Sequence, residues 1–179
     1  MHFCNIKHRY DRLGAPHLSL QRHEECLQLR RSFLSPSHPD VLLSEAELAI
    51  CWYDTGRQQD GMRLLEKVMV EARRVLPPTH SHLGLFMNQL GTLYGKAGRY
   101  AQSLQLFEEQ LAFCKLVLEP GNIHYVELHF NMGITLFALG RKQQARSAVA
   151  ECLRVAEVNQ LDDENEFVAK ARGFMSMLH

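Results

Sequence analysis

The sequence predicts an all-α protein, a solenoid of stacked antiparallel helix hairpins. Three observations carry that expectation. Gly56, Gly98 and Gly140 stand 42 residues apart, and each is followed by an arginine (Arg57, Arg99, Arg141). Each period holds two amphipathic segments with apolar residues at helical spacing. Strand-like alternation is absent, and only six prolines interrupt the chain. A fixed period of roughly 20–50 residues marks a repeat array.

The chain opens on "MHFCNIKHRYDRLG" (1–14), which matches the latter half of a first helix and ends on Gly14, one period before Gly56. A second helix is expected over 17–34, with Leu20, Leu27 and Leu34 on one stripe. Together these make a partial repeat, 1–34. The first full unit, 35–76, begins at Ser35-Pro36-Ser37-His38-Pro39 and carries helices over about 38–55 and 58–75. Val41, Leu48 and Trp52 line the first of these, and Leu64, Leu65, Val68, Met69 and Ala72 the second. The units 77–118 and 119–158 repeat the plan after Pro77-Pro78-Thr79-His80 and Pro120-Gly121-Asn122. In each, the hairpin glycine suits a left-handed residue just past a helix end. Matching positions hold small residues, Ala49, Gly91 and Gly133 in the first helix and Gly61, Ser103 and Ala145 in the second, so that the paired helices approach closely. Residues 159–179 are expected to form a capping helix or a truncated repeat. Asp162-Asp163-Glu164-Asn165 is its start, acidic at the positive end of the helix dipole. A single hairpin cannot bury its apolar face alone, so the hairpins must stack.

This order of residues resembles the tetratricopeptide repeat (TPR). The family places a large apolar residue, Leu-Gly or Leu-Ala, an aromatic, and then a small residue in the second helix. Here these are Leu90-Gly91, Tyr94 and Ser103, with Phe107 behind. The usual repeat has about 34 residues. The longer period, His38-Pro39, and "LGTLYGKAGRYAQSLQLFEEQLAF" at 90–113 look like the kinesin light chain type. The resemblance covers about 35–158 and implies a right-handed superhelix. It departs from the pattern at Glu45 and His129, where a large apolar residue is common, and at Gln110, where a small one is expected.

Composition and motifs narrow the function. A chain of 179 residues reads as one domain able to bury a core. Twenty acids balance twenty bases, which gives no electrostatic reason to expect nucleic acid or a membrane surface. The five scattered cysteines contain no C-x-x-C and suggest reduced thiols in a cytoplasmic protein. No apolar run is long enough for a membrane span, and no signal-peptide pattern opens the chain. There is no G-x-S-x-G, phosphate loop or H-E-x-x-H, so no enzyme activity and no cofactor is expected. Ten histidines invite a metal site, but His80, His82 and His124 fall at hairpin starts about one repeat apart, and no metal is expected. Arg30-Arg31 and Arg73-Arg74 read as complements to helix C-termini.

The resemblance implies a protein-interaction module that holds a peptide segment of a partner in a concave groove lined by first helices. Its contact positions, carried over, are Leu43, Ala46, Glu47, Ile50 and Asp54. In the next unit they are Leu85, Asn88, Gln89, Thr92 and Lys96, and then Glu127, Phe130, Asn131, Ile134 and Ala138. A Lys/Asn/Arg carboxylate clamp, known in chaperone co-factors of the family, is missing: its places carry Ala46, Ile50, Gln89, Glu127 and Asn131. Asn88, Gln89 and Asn131 instead suit the backbone of an extended peptide, with Leu43, Ile50, Phe130 and Ile134 as apolar walls. The alternative is a structural spacer or oligomerisation segment of a larger scaffold. Weak self-association through 165–178 is also expected, because Phe167, Phe174, Met175, Met177 and Leu178 crowd one short helix.

Overall fold

The computed structural model describes residues 16–177, and every regular element in them is a helix. These are α1 (Pro16–Phe33), α2 (Pro39–Asp54), α3 (Gln58–Val75), α4 (Ser81–Lys96), α5 (Tyr100–Val117), α6 (His124–Ala138), α7 (Lys142–Val158) and α8 (Glu166–Met177). The expected first helix over 1–14, and Leu178, lie outside the described residues. The chain divides into two compact units between Phe86 and Met87, inside α4.

The recurrent Gly-Arg pair closes each hairpin in the same way. Gly56, Gly98 and Gly140 all have positive φ (96°, 75° and 75°). The next residue's amide reaches back over the helix end: Arg57 N–H donates to Trp52 O at 2.8 Å, Arg99 to Tyr94 O at 2.8 Å and Arg141 to Leu136 O at 2.9 Å. This is the glycine-terminated Schellman motif, which satisfies carbonyls left over at the helix terminus. The arginine then has two further uses. Its guanidinium lies 4.0 Å from the ring centroid of Trp52 in the first hairpin and 4.1 Å from that of Tyr94 in the second. Its Nε also donates three residues ahead, to Asp60, Gln102 and Gln144.

Helix starts repeat as faithfully. His38 Nδ1 accepts from Asp40 N–H at 3.2 Å, His80 Nδ1 from His82 N–H at 3.2 Å, and Asn122 Oδ1 from His124 N–H at 3.0 Å. Two histidines that invite a metal reading by composition are thus capping acceptors for orphan helix amides. Asn165 caps α8 through Phe167 N–H at 3.0 Å.

In the first unit, α2 packs on α3 and α1 on α2. Gly61 brings the backbones of the hairpin together: a Cβ there would stand 2.4 Å from Ala49 O. Glu45, buried where an apolar residue is common, is paired with Arg31 at 2.5 Å. Arg30 donates to Asp40 O at 2.9 Å, and Arg74 makes a two-pronged pair with Glu71 at 2.7 and 2.9 Å. Arg30 and Arg31 thus reach across to α2, whereas Arg74 pairs within its own helix. Glu71 also accepts from Ser37, and the two contacts drop its carboxyl to about 2.

In the second unit a continuous core runs through Phe107, Leu128, Val149, Cys152 and Val168. Gly91 lies under the Phe107 ring and Gly133 under Val149, where added Cβ atoms would come within 2.8 and 2.5 Å. Ser103 is fully buried and donates to Gly91 O at 2.7 Å, so the small position also ties the two helices polarly. Gln110 fills its small-residue position as a buried side chain whose Oε1 has no hydrogen-bond partner among the described residues. The last helix, α8, contacts α7 and α6. Its Phe174 ring meets Phe137 edge-on at 5.2 Å, and Val168 and Ala171 are buried. The crowding expected on this helix is partly relieved inside the unit: Phe167, Phe174 and Met175 pack against the core. Met177, by contrast, stands 71% exposed.

Candidate functional site

The second unit gathers most of the sequence-derived contact residues. Asn88, Gln89, Thr92 and Lys96 descend one side of α4, and Glu127, Asn131, Ile134 and Ala138 one side of α6. Between them runs a chain of polar side chains. Asn88 Nδ2 donates to Glu127 Oε1 at 2.8 Å, and Asn131 Nδ2 donates to Asn88 Oδ1 at 3.4 Å. All three are half-buried. Each amide carries two N–H groups, and a carbonyl oxygen accepts twice, so this chain leaves capacity on both asparagines for a ligand backbone. Gln89 is half-buried, and its Oε1 has no hydrogen-bond partner among the described residues.

Below the asparagines a cavity of about 180 Å³ opens, with Thr92, Lys96, Asn131 and Ile134 among its walls. Its floor is Gly91 and Phe107, and Thr135 and Ser103 add hydroxyls. The glycine sets the depth, since no side chain stands between the cavity and the Phe107 ring. Thr135 Oγ1 donates to Asn131 O at 2.8 Å, which holds the backbone under the amide. Gly95, Ser103 and Thr135 are cavity residues that the repeat pattern did not point to. The one signal for Thr135 is a polar residue at a position occupied by Leu93 one period earlier.

Other expected contacts lie differently. Phe130 is buried and meets Phe167 of α8 at a ring separation of 6.0 Å. It is a core residue and not a groove wall, because a helix following α7 packs across its ring. Ala46 is fully buried as well. Leu43, Glu47 and Ile50 sit half-buried on α2 in the first unit. Glu47 faces the buried His23, with Oε2 3.5 Å from Nδ1. Burial opposes protonation of His23, but hydrogen bonds to Cys51 and Glu47 outweigh it and carry the imidazole to about 9. Leu85 is half-buried, while Asp54, Lys96 and Ala138 are exposed. Among the described residues no group of three His, Cys, Asp or Glu side chains is arranged to hold a metal ion. None of their helices is long and apolar enough to cross a membrane.

Comparison with known proteins places this architecture. The tetratricopeptide repeat family profile matches residues 83–157. No curated protein sequence matches significantly. Among solved structures, the kinesin light chain TPR-like repeats from Podosopora anserina superpose with a TM-score of 0.78 at 19% identity, over 97% of this chain and 82% of theirs. BtubC from P. vanneervenii gives 0.74 at 17% identity, over 86% and 61%. PlcR of Bacillus thuringiensis, solved with the peptide PapR7 and DNA, gives 0.67 at 13% identity, over 87% and 56%. Such structures share the helix-hairpin solenoid fold, and members of the matched family are in general protein-interaction modules. A tetratricopeptide repeat profile is thus recognised over 83–157, and the helix-hairpin solenoid fold is matched across nearly the whole length.

Proposed function

We propose that this protein is a non-catalytic adaptor that binds an extended peptide segment of a partner protein in the cleft between α4 and α6. The observation that carries the reading is the Glu127–Asn88–Asn131 chain set above a small cavity with Ile134 and Lys96 at its rim. Amides that keep hydrogen-bonding capacity can hold a peptide backbone in either direction. The cavity accepts one apolar side chain, and Lys96 favours an acidic residue beside it. That a protein of the same fold is solved with a peptide supports the class of ligand. Ile134, 41% exposed, is the apolar anchor. Leu43, Glu47 and Ile50 on α2 are a separate proposed contact set within the first unit, while Phe130 is set aside. The scattered cysteines, none in C-x-x-C spacing, fit a cytoplasmic setting.

A displayed peptide library, screened against the full chain, tests this reading. Enriched peptides share an apolar residue followed or preceded by an acid. Asn131→Ala and Lys96→Glu each weaken the selected peptide by about tenfold, the usual effect of losing a buried polar or charged contact. Binding unchanged by both variants and by Ile134→Asp rules out this cleft.

A further inference from the structure

We infer that copies of this chain dock head to tail, the outer face of α1 in one copy seating in the groove between α7 and α8 of the next. The repeat itself supplies the template. Inside the second unit a cavity of about 240 Å³ is lined by Leu111, Lys115 and Leu118 on one side and Tyr125 and His129 on another. The third side is α7, through Glu151, Arg154 and Val155. One repeat later the same positions recur. Leu153, Glu157 and Gln160 lie 42 residues beyond the first three, and Val168 and Arg172 lie 43 beyond the other two. The added residue falls in the connector, where Asn165 caps α8 as Asn122, 43 residues earlier, caps α6. All five line a wider groove of about 660 Å³ between α7 and α8. Among the described residues of the second unit, no further helix stands against it where α7 stands against the inner one.

The occupant is read from the helix that fills the inner groove. α1 is the counterpart of α7 three periods earlier, so Glu25, Leu29 and Phe33 correspond to Glu151, Val155 and Asn159. In α7 that face is engaged: Val155 is buried, and Asn159 Nδ2 donates to Gly121 O in the preceding connector at 2.8 Å. In α1 it is open and more apolar, with Leu29 63% and Phe33 80% exposed. The charges agree with the pairing. Within the second unit Glu151 interacts electrostatically with His129. Across the proposed contact Glu25 takes the place of Glu151 and Arg172 that of His129, a firmer ion pair. Both residues now hold exposed local partners, Arg22 and Gln21 for Glu25 and Asp163 for Arg172, which are worth little and are readily exchanged. A plug and a socket on different surfaces form a heterologous contact, which extends into open chains unless the rotation closes.

Sedimentation velocity of the full chain, from low micromolar to several hundred micromolar, tests the inference. The wild type is expected to grow past the dimer as concentration rises. A head variant, Leu29→Asp with Phe33→Asp, and a tail variant, Arg172→Glu with Ala150→Arg in the α7 wall of the groove, each lower the association constant about tenfold or more. All four positions are exposed, so folding is unaffected, and unchanged melting curves verify this. The decisive result is the mixture: the two variants, each monomeric alone, combine into a one-to-one dimer that grows no further. A wild type that stays monomeric overturns the inference. So does growth that stops at a dimer sensitive only to the tail variant, which is symmetric pairing through α8, and so does a mixture that remains monomeric.

Discussion

At Gly61 a hydrogen stands where any side chain would meet backbone. A Cβ there would lie 2.4 Å from Ala49 O and 2.9 Å from Tyr53 N, atoms that move only if the hairpin opens. At Gly98 the space is clear, and the demand is conformational, φ +75°. The two costs differ in kind. Gly61→Ala gains helix propensity but forces the hairpin apart, and is expected to lose about 1–3 kcal/mol, as overpacked sites do. Gly98→Ala loses about 1 kcal/mol, because left-handed strain is partly offset by a stiffer unfolded chain. Denaturant titration of the pair should rank Gly61→Ala as the more damaging. His129 poses a different residue-scale problem. Burial lowers its pKa, Lys115 and Arg154 lower it further, and Glu151 opposes them. The unfolded chain therefore takes up this proton first as the pH falls through the ordinary histidine value of 6.5. Native stability drops on acidification below that point and recovers above it. His129→Leu restores the large apolar residue common at this position and should flatten the dependence. Melting temperatures of both proteins at neutral and mildly acidic pH give the comparison, and equal slopes would contradict it.

At the scale of the element, hairpins are closed by short-range devices and stacked by long-range burial. The Schellman glycine, the arginine over Trp52 or Tyr94, and the capping His38, His80 and Asn122 all act within one turn of a helix end. Stacking depends instead on residues such as Leu90, buried on α4 one residue before Gly91. Leu90→Ala removes apolar contacts and leaves a cavity, and is expected to cost about 2–5 kcal/mol. Gln105→Ala on exposed α5 surface is the control, since Gln105 donates to Glu109 in an exposed 3.2 Å bond and buries nothing. Thermal unfolding should shift strongly for the first variant and barely for the second. Comparable shifts would mean that α4 is not held by core packing.

For the molecule as a whole, the balance of charge sets the expectation for polyanionic partners. Twenty acids and twenty bases cancel, and many of them pair locally, as in Arg57–Asp60, Arg74–Glu71 and Arg154–Glu151. A surface arranged in this way releases few counterions from a phosphate backbone. Duplex DNA should bind more weakly than about 0.1 mM at physiological salt, the loose end of non-specific binding. Fluorescence anisotropy with a labelled duplex measures this directly, and saturable submicromolar binding would contradict it.

The sequence by itself determined the all-α class, the period, the hairpin turns and the positions of small residues, because each depends on chemistry within a few residues along the chain. Gly56, Gly98 and Gly140 are readable since only glycine adopts their backbone conformation cheaply. Half of the candidate site was legible on the same ground: Asn88, Thr92, Lys96, Asn131 and Ile134 sit at repeat positions that face away from the hairpin's own core. Only the tertiary structure decided the rest. Phe130 became core because Phe167, 37 residues later, packs on its ring, and Thr135 became a cavity wall because Gly91 and Phe107 leave room beside it. Whether a half-apolar position faces a ligand or another helix is settled by which helix arrives there, and periodicity specifies the face of a helix without naming what covers it.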